Sequence, residues 1–333
     1  METFINILFL VVGMALLIKG ADFFVGGASN VAKYLKVPTL VIGLTIVSLG
    51  TSLPELAVSF IASIEKNADL SVGNIVGSNI FNLLVVLGLT SLFVPIMIDK
   101  KVLKFEIPFL IVVSALLLII AITGPRQITW YYGLIFLVLC VGYIAFLIFR
   151  SKKEAKKNKK EHVEEKKPEW SILKSLVFLL MGLGMIVFGG QLVNKSSQII
   201  AENFGMDDKL IGLTIVAIGT SLPELVTSLV AAKKGENDIA LGNVIGSNTL
   251  NILFILGVSS VITPLPISSE MVFDIIVMIA TTLVFTLMAF ITFKGKGISK
   301  ICGLIMLVIY VLYVIYLIGR NYGFLPEWMM FKF

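Results

Sequence analysis

Of the 333 residues, 57% are hydrophobic and 14% charged, and the net charge is +6. Soluble domains run nearer ~45–50% apolar and ~25% charged, so these proportions exclude an ordinary water-soluble fold and indicate a chain with many membrane spans. The excess of positive charge does not indicate nucleic acid, because it lies in short connections between apolar runs, on alternating sides, as topology signals do.

At about 20 apolar residues per spanning helix, the sequence predicts crossings at 4–29, 38–63, 71–93, 104–123, 129–149, 172–200, 209–232, 240–262, 270–293 and 299–319. The first stretch has no basic segment before it and no small-residue cleavage site after it, so it reads as a retained helix and not a signal peptide. Residues 150–169 carry Lys152, Lys153, Lys156, Lys157, Lys159, Lys160, Lys166 and Lys167 among glutamates. Such a run is a solvated linker, too short to hold a regulatory domain. Its His162 is the single histidine of the chain, which removes any mechanism needing a buried imidazole. Cys140 and Cys302 lie inside apolar runs and read as small packing residues.

Basic residues of alternate connections fall into two groups. Lys33, Lys36, Lys100, Lys101, Lys104, the linker cluster, Lys233, Lys234, Lys294, Lys296 and Lys300 collect on one side. Only Lys66, Arg126, Lys209, Arg320 and Lys332 fall on the other. The linker is therefore expected to be cytoplasmic and both termini extracellular.

Residues 43–88 align without a gap with 212–257, at a constant offset of 169. Gly13 and Gly182, Gly20 and Gly189, and Pro95 and Pro264 match at the same offset. Each half has an odd number of crossings, so the second half enters the membrane the other way up. The expected fold is an all-α membrane protein of ten transmembrane helices in two inverted-topology five-helix repeats, 1–149 and 170–333, joined by the linker. Folds of this kind place a substrate site near the membrane midplane, where discontinuous helices of the two halves meet.

Both repeats contain Gly-Thr-Ser-Leu-Pro-Glu, at 50–55 and 219–224. Ser48, Thr51, Ser52, Glu55 and Ser59 form one polar stripe at spacings of three and four. The twin stripe is Ala217, Thr220, Ser221, Glu224 and Ser228. Pro54 and Pro223 have no N–H for the carbonyl four residues earlier, which frees the carbonyls of Gly50 and Gly219 and loosens those of Thr51 and Thr220. In the next helix of each repeat, Ser78 and Asn82, and Ser247 and Asn251, lie four apart. Asn74 and Asn243 read as helix caps, while Asn79 and Asn248 fit either a ligand or an interhelical hydrogen bond. A lone Ser, Thr or Pro in a membrane helix is ordinarily structural, but a mid-membrane carboxylate signals function, and here there are two. Lys19 and Asp22, three apart in the first helix, read as a structural pair.

The summed donor set is all oxygen. That suits hard cations, and Ca²⁺ takes about six to eight oxygens. Two bidentate glutamates with two carbonyls reach six. Their charge of −2 matches one Ca²⁺ or two monovalent ions, so the ions would compete for shared ligands.

These motifs, with Gly-Ser-Asn-x-x-Asn in both halves, resemble the sodium/calcium exchanger branch of the cation/calcium exchanger superfamily over the whole chain. The resemblance implies that Glu55 and Glu224, with the Thr51 and Thr220 carbonyls, hold calcium. It maps sodium sites onto the Ser48 carbonyl, Thr51, Ser52, Glu55 and Ser78, and onto the Ala217 carbonyl, Thr220, Ser221, Glu224 and Ser247. Asn82 and Asn251 complete the centre. It also implies that the first and sixth helices slide to give alternating access, which Gly20, Gly26, Gly27, Gly182, Gly184, Gly189 and Gly190 suit. One departure is Asn251, where many microbial relatives and the potassium-dependent branch carry Asp. The expected function is a plasma-membrane antiporter exchanging Na⁺ for Ca²⁺, with those ions and the lipid bilayer as partners, no cofactor, no nucleic acid, no enzymatic activity and a monomeric state. The alternatives are a Ca²⁺/H⁺ antiporter of the same superfamily and a cation channel.

Overall fold

A computed structural model describes residues 2–123, 126–160, 167–203, 217–292 and 297–322. Those residues form helices joined by short connections, with one short strand pair and an isolated antiparallel bridge between Ile96 and Ile298. Helix α1 is Glu2–Leu35, α2 Thr39–Thr51, α3 Leu53–Ile64, α4 Ala68–Phe81, α5 Leu87–Phe93 and α6 Ile107–Ile122. Strand β1, Gln127–Ile128, precedes α7, Trp130–Lys160, and α8, Ile172–Asn203. Then come α9 Ala217–Thr220, α10 Leu222–Lys233, α11 Asn237–Leu250, α12 Gly257–Ile262, β2 Leu265–Pro266, α13 Ser269–Thr292 and α14 Lys300–Asn321. Segments of π-helix occupy Gly43–Val47, Asn82–Val86, Val102–Glu106 and Asn251–Leu256.

Among the described residues, eight helices are long and apolar enough to cross a membrane, or nine if α2 and α3 count as one span bent at Ser52. They coincide with nine of the predicted crossings. The remaining one, 209–232, begins outside the described residues, and its described part is α9 and α10. The predicted basic residues Lys209, Lys294, Lys296 and Lys332, and His162 in the linker, also lie outside them.

Large apolar side chains are exposed along α1, α7, α8, α13 and α14, including Leu173 and Val138 at 70% and Ile301 at 72%. Continuous exposure on that scale suits lipid and not water. The chain is a multi-span integral membrane protein. Most of the spans Leu70–Phe93 and Asn237–Ile262, by contrast, are buried inside the protein.

The chain divides into two compact units, Met1–Pro54 with Val138–Ser247, and Glu55–Leu137 with Asn248–Phe333. In the first unit, glycines let helices approach closely. A Cβ on Gly20 would lie 2.9 Å from the Gly182 carbonyl, and one on Gly182 would lie 2.5 Å from the Phe24 nitrogen, so α1 and α8 pack almost backbone to backbone. Gly43 and Gly242 do the same for α2 and α11.

Polar contacts hold the C-terminal half of α1. Asn30 Oδ1 accepts from the backbone N–H of Glu169 (2.8 Å) and of Trp170 (3.3 Å), and Lys33 pairs with Glu169 at 2.9 Å. That ammonium holds the Glu169 carboxyl below its usual range. Asp22 pairs with Lys234 at 2.7 Å in the turn after α10, and not with Lys19 as its spacing predicts. The partner lies more than two hundred residues away in sequence, where helical spacing carries no information. Ser29 donates to Glu236 in the same turn at 2.6 Å.

In the second unit, Asn67 caps α4 by accepting from the Leu70 N–H at 3.1 Å. The antiparallel pair β1–β2 joins Gln127 to Pro266 and Ile128 to Leu265. Helices α13 and α14 are pinned by Arg320, which donates to both carboxylate oxygens of Asp274 (3.1 and 2.9 Å). Tyr313 adds a third hydrogen bond to that carboxylate at 3.2 Å. Cys140 and Cys302 are free thiols.

Candidate functional site

In both copies of the motif the helix breaks at the serine before Leu-Pro-Glu, in the second predicted span of each repeat. Ser52 has φ −81° and ψ 8° after α2, and Ser221 has φ −93° and ψ 6° before α10. The break follows from the chemistry of proline. With no N–H at Pro54 or Pro223 and a ring obstructing the preceding turn, the helix stops and restarts with proline in its first turn. Each glutamate therefore enters the first turn of a new helix, where backbone N–H groups favour negative charge. Glu55 and Glu224 are fully buried.

In the first unit, Glu224 Oε1 accepts from Ser52 Oγ at 3.0 Å and from Ser247 Oγ at 3.4 Å. Ser247 Oγ also lies 3.4 Å from the Ser48 carbonyl, which Thr51 Oγ1 approaches at 3.3 Å. Thr51 Oγ1 donates to Asn243 Oδ1 at 2.9 Å. The amide of Asn243 in turn donates to the Glu224 carbonyl at 3.4 Å and to Ser228 Oγ at 2.9 Å. Thr220 and Ser221 are buried in the same unit. Ala217 begins α9. Glu224 Oε2 is buried with no hydrogen-bond partner among the described residues.

The second unit repeats this pattern around the other glutamate. Ser78 Oγ donates to Glu55 Oε1 at 3.4 Å. Asn74 Nδ2 donates to the Glu55 carbonyl at 3.2 Å and to Ser59 Oγ at 3.0 Å. Asn82 and Asn251 belong to this unit too, each at the first position of a π-helical segment. Asn82 Nδ2 donates to Asn248 Oδ1 at 3.1 Å and Asn251 Nδ2 to Asn79 Oδ1 at 3.0 Å.

Two sequence expectations need correcting. Asn74 and Asn243 do not cap helices: α4 begins at Ala68 behind the cap Asn67, and α11 begins at Asn237. Both asparagines sit inside their helices, tying glutamate backbone to serine hydroxyl. The signal was in the spacing, since Asn74, Ser78 and Asn82 recur every four residues on one face. Asn79 and Asn248, open between two readings, make interhelical hydrogen bonds.

Orphaned buried oxygens need an explanation. Glu224 Oε2, Asn82 Oδ1 and Asn251 Oδ1 are all buried without a hydrogen-bond partner among the described residues. All are oxygens: in the first unit the Ser52 and Ser247 hydroxyls meet the other oxygen of Glu224, and in the second unit Asn248 and Asn79 hold the amide nitrogens of Asn82 and Asn251. Such groups fit a hard cation.

Comparison with known proteins agrees with this chemistry. The family model for sodium/calcium exchanger proteins matches residues 5–149 and 174–319. CaxA of Alkalimonas amylolytica is 41% identical over 304 residues, covering 90% of this chain and 95% of that protein. The sodium/calcium exchanger MaX1 of Methanosarcina acetivorans is 34% identical over 338 residues, covering 91% and 96%. A solved structure of the sodium-calcium exchanger NCX_Mj superposes with a TM-score of 0.79 at 33% identity, covering 93% of this chain and 97% of that one. The match spans nearly the whole of each chain, so this protein belongs to the sodium/calcium exchanger family.

Proposed function

We propose that the chain is a secondary antiporter that exchanges Na⁺ for Ca²⁺ by alternating access. Its ten helices form two inverted five-helix repeats, 1–149 and 170–333, in a plasma membrane, with both termini outside and the linker in the cytoplasm. The observation that carries the reading is the duplicated shell. Each glutamate has a serine on Oε1 and an asparagine on its own carbonyl, Ser78 and Asn74 for Glu55, Ser247 and Asn243 for Glu224.

In this reading, Glu55 and Glu224 supply a charge of −2 and share one Ca²⁺ with the Thr51 and Thr220 carbonyls. Na⁺ uses the Ser48 and Ala217 carbonyls and the hydroxyls of Thr51, Ser52, Ser78, Thr220, Ser221 and Ser247, with Asn82 and Asn251 completing the centre. Because Na⁺ and Ca²⁺ draw on the same carboxylates, occupancy by one excludes the other, and that exclusion couples the two fluxes. The glycine contacts between α1 and α8 support the sliding that alternating access needs. Little side-chain interdigitation opposes movement where backbones meet directly.

The test is Ca²⁺ uptake into proteoliposomes, driven in turn by a Na⁺ gradient and by a pH gradient, with K⁺ varied. Uptake that follows the Na⁺ gradient is expected. Uptake that follows the pH gradient and ignores Na⁺ contradicts the reading and favours Ca²⁺/H⁺ exchange. Channel-sized currents without exchange contradict it as well.

A further inference from the structure

We infer that Asn79 and Asn248 are positioning residues that fix the polarity of the Asn82 and Asn251 amides, so that both present their oxygens and not their NH₂ groups to the transported ion. The inference rests on the exchanger reading and deepens it at one pair of residues. The four asparagines lie in the second unit and are fully or almost fully buried.

Backbone carbonyls decide the orientation, because they can only accept. Asn79 reaches the Asn248 carbonyl at 3.1 Å, and Asn248 reaches the Asn79 carbonyl at 3.0 Å. The atoms making those contacts must be the NH₂ groups. The remaining atom of each side chain is therefore an oxygen. Asn248 Oδ1 lies 3.1 Å from Asn82, and Asn79 Oδ1 lies 3.0 Å from Asn251. The atoms meeting those oxygens must again be NH₂ groups. What remains is Oδ1 of Asn82 and Oδ1 of Asn251, both buried and without a hydrogen-bond partner among the described residues.

Every link is therefore forced by the one before it. Turning over the amide of Asn79 or Asn248, the outer pair, would set oxygen against oxygen inside the protein and point a donor of the inner pair, Asn82 and Asn251, at a cation. An ionised Asp at position 251 could not make the donation to Asn79. The amide at position 251 thus agrees with the rest of the network. The pairing is crossed: Asn248 orients Asn82, and Asn79 orients Asn251.

The crossing makes the inference testable in the purified full-length chain. Ca²⁺ binding and its displacement by Na⁺ are measured for Asn82→Ala, Asn251→Ala, Asn79→Leu, Asn248→Leu and the four outer–inner doubles. Each single variant is expected to lose about tenfold in Ca²⁺ affinity, and residues acting through one another do not add. Asn248→Leu should then cost nothing further in an Asn82→Ala background, but should multiply the loss in Asn251→Ala. Asn79→Leu should show the opposite preference. A residue that merely supports the fold would weaken both backgrounds alike, so losses that multiply in all four doubles overturn the inference. If either leucine variant does not fold, the smaller Asn79→Ala and Asn248→Ala replace it. A wild-type chain that binds no Ca²⁺ removes the exchanger reading and this inference together. Wild-type binding with four independent losses removes only the inference.

Discussion

Ser48 Oγ donates to the Thr45 carbonyl on its own helix at 3.1 Å, whereas Ser52 Oγ donates to Glu224 at 3.0 Å. The two serines belong to one stripe in the sequence, but their hydroxyls do different work. In the proposed site Ser48 contributes through its carbonyl, which any residue supplies, and the twin position is Ala217. Ser48→Ala is therefore expected to leave the initial rate of Na⁺-driven Ca²⁺ uptake within about twofold of wild type. Ser52→Ala removes a hydrogen bond to a charged group, an interaction of about 1.5–3 kcal/mol. It should lower uptake at subsaturating Ca²⁺ by about tenfold or more, and equal effects of the two substitutions would contradict the distinction. The same residue-level logic explains the misread asparagines. Asn74 reads as a helix start because Gly-Asn resembles a boundary, but Asn67 caps the helix about two turns earlier.

Glycine and ion pairing decide how the elements meet. On α8, Gly182 abuts the α1 backbone, whereas a Cβ added at Gly184 meets nothing within 4 Å. Gly182→Val should overpack the contact at about 1–3 kcal/mol and lower the melting temperature. Gly184→Ala should leave it unchanged or raise it, because alanine is the better helix former by about 0.8–1.0 kcal/mol. On α13 and α14, the Asp274 and Arg320 side chains are only 8% and 15% exposed. Removing one partner of a buried pair leaves the other charge uncompensated, at about 3–5 kcal/mol. Asp274→Ala should accordingly lower the melting temperature sharply, and Asp274→Leu with Arg320→Leu should restore much of it. A double variant no more stable than Asp274→Ala would contradict the buried-pair account. The membrane spans were legible in the sequence because hydrocarbon imposes a length on every apolar run. Contacts such as Asp22 with Lys234 were not, because local spacing cannot say which distant turn comes to rest beside a helix.

For the whole molecule, the duplicated Gly-Thr-Ser-Leu-Pro-Glu stretch is the feature of the sequence that points to the proposed cation site. Two carboxylates and two prolines inside apolar spans have few other uses. The sequence did not reveal how hydroxyls and amides are apportioned. Ser52 serves the glutamate of the other repeat, whereas Ser78 serves its own. A hydrogen-bond direction depends on tertiary neighbours that periodicity cannot supply. The central claim is that Glu55 and Glu224, from different repeats, act as halves of one site. Isothermal titration of the purified chain with Ca²⁺, for wild type, Glu55→Gln and Glu224→Gln, tests this most directly. The account predicts one Na⁺-displaceable Ca²⁺ per wild-type chain, lost in either variant while both still melt cooperatively. Two Ca²⁺ ions per chain, with each substitution removing only one, would contradict it.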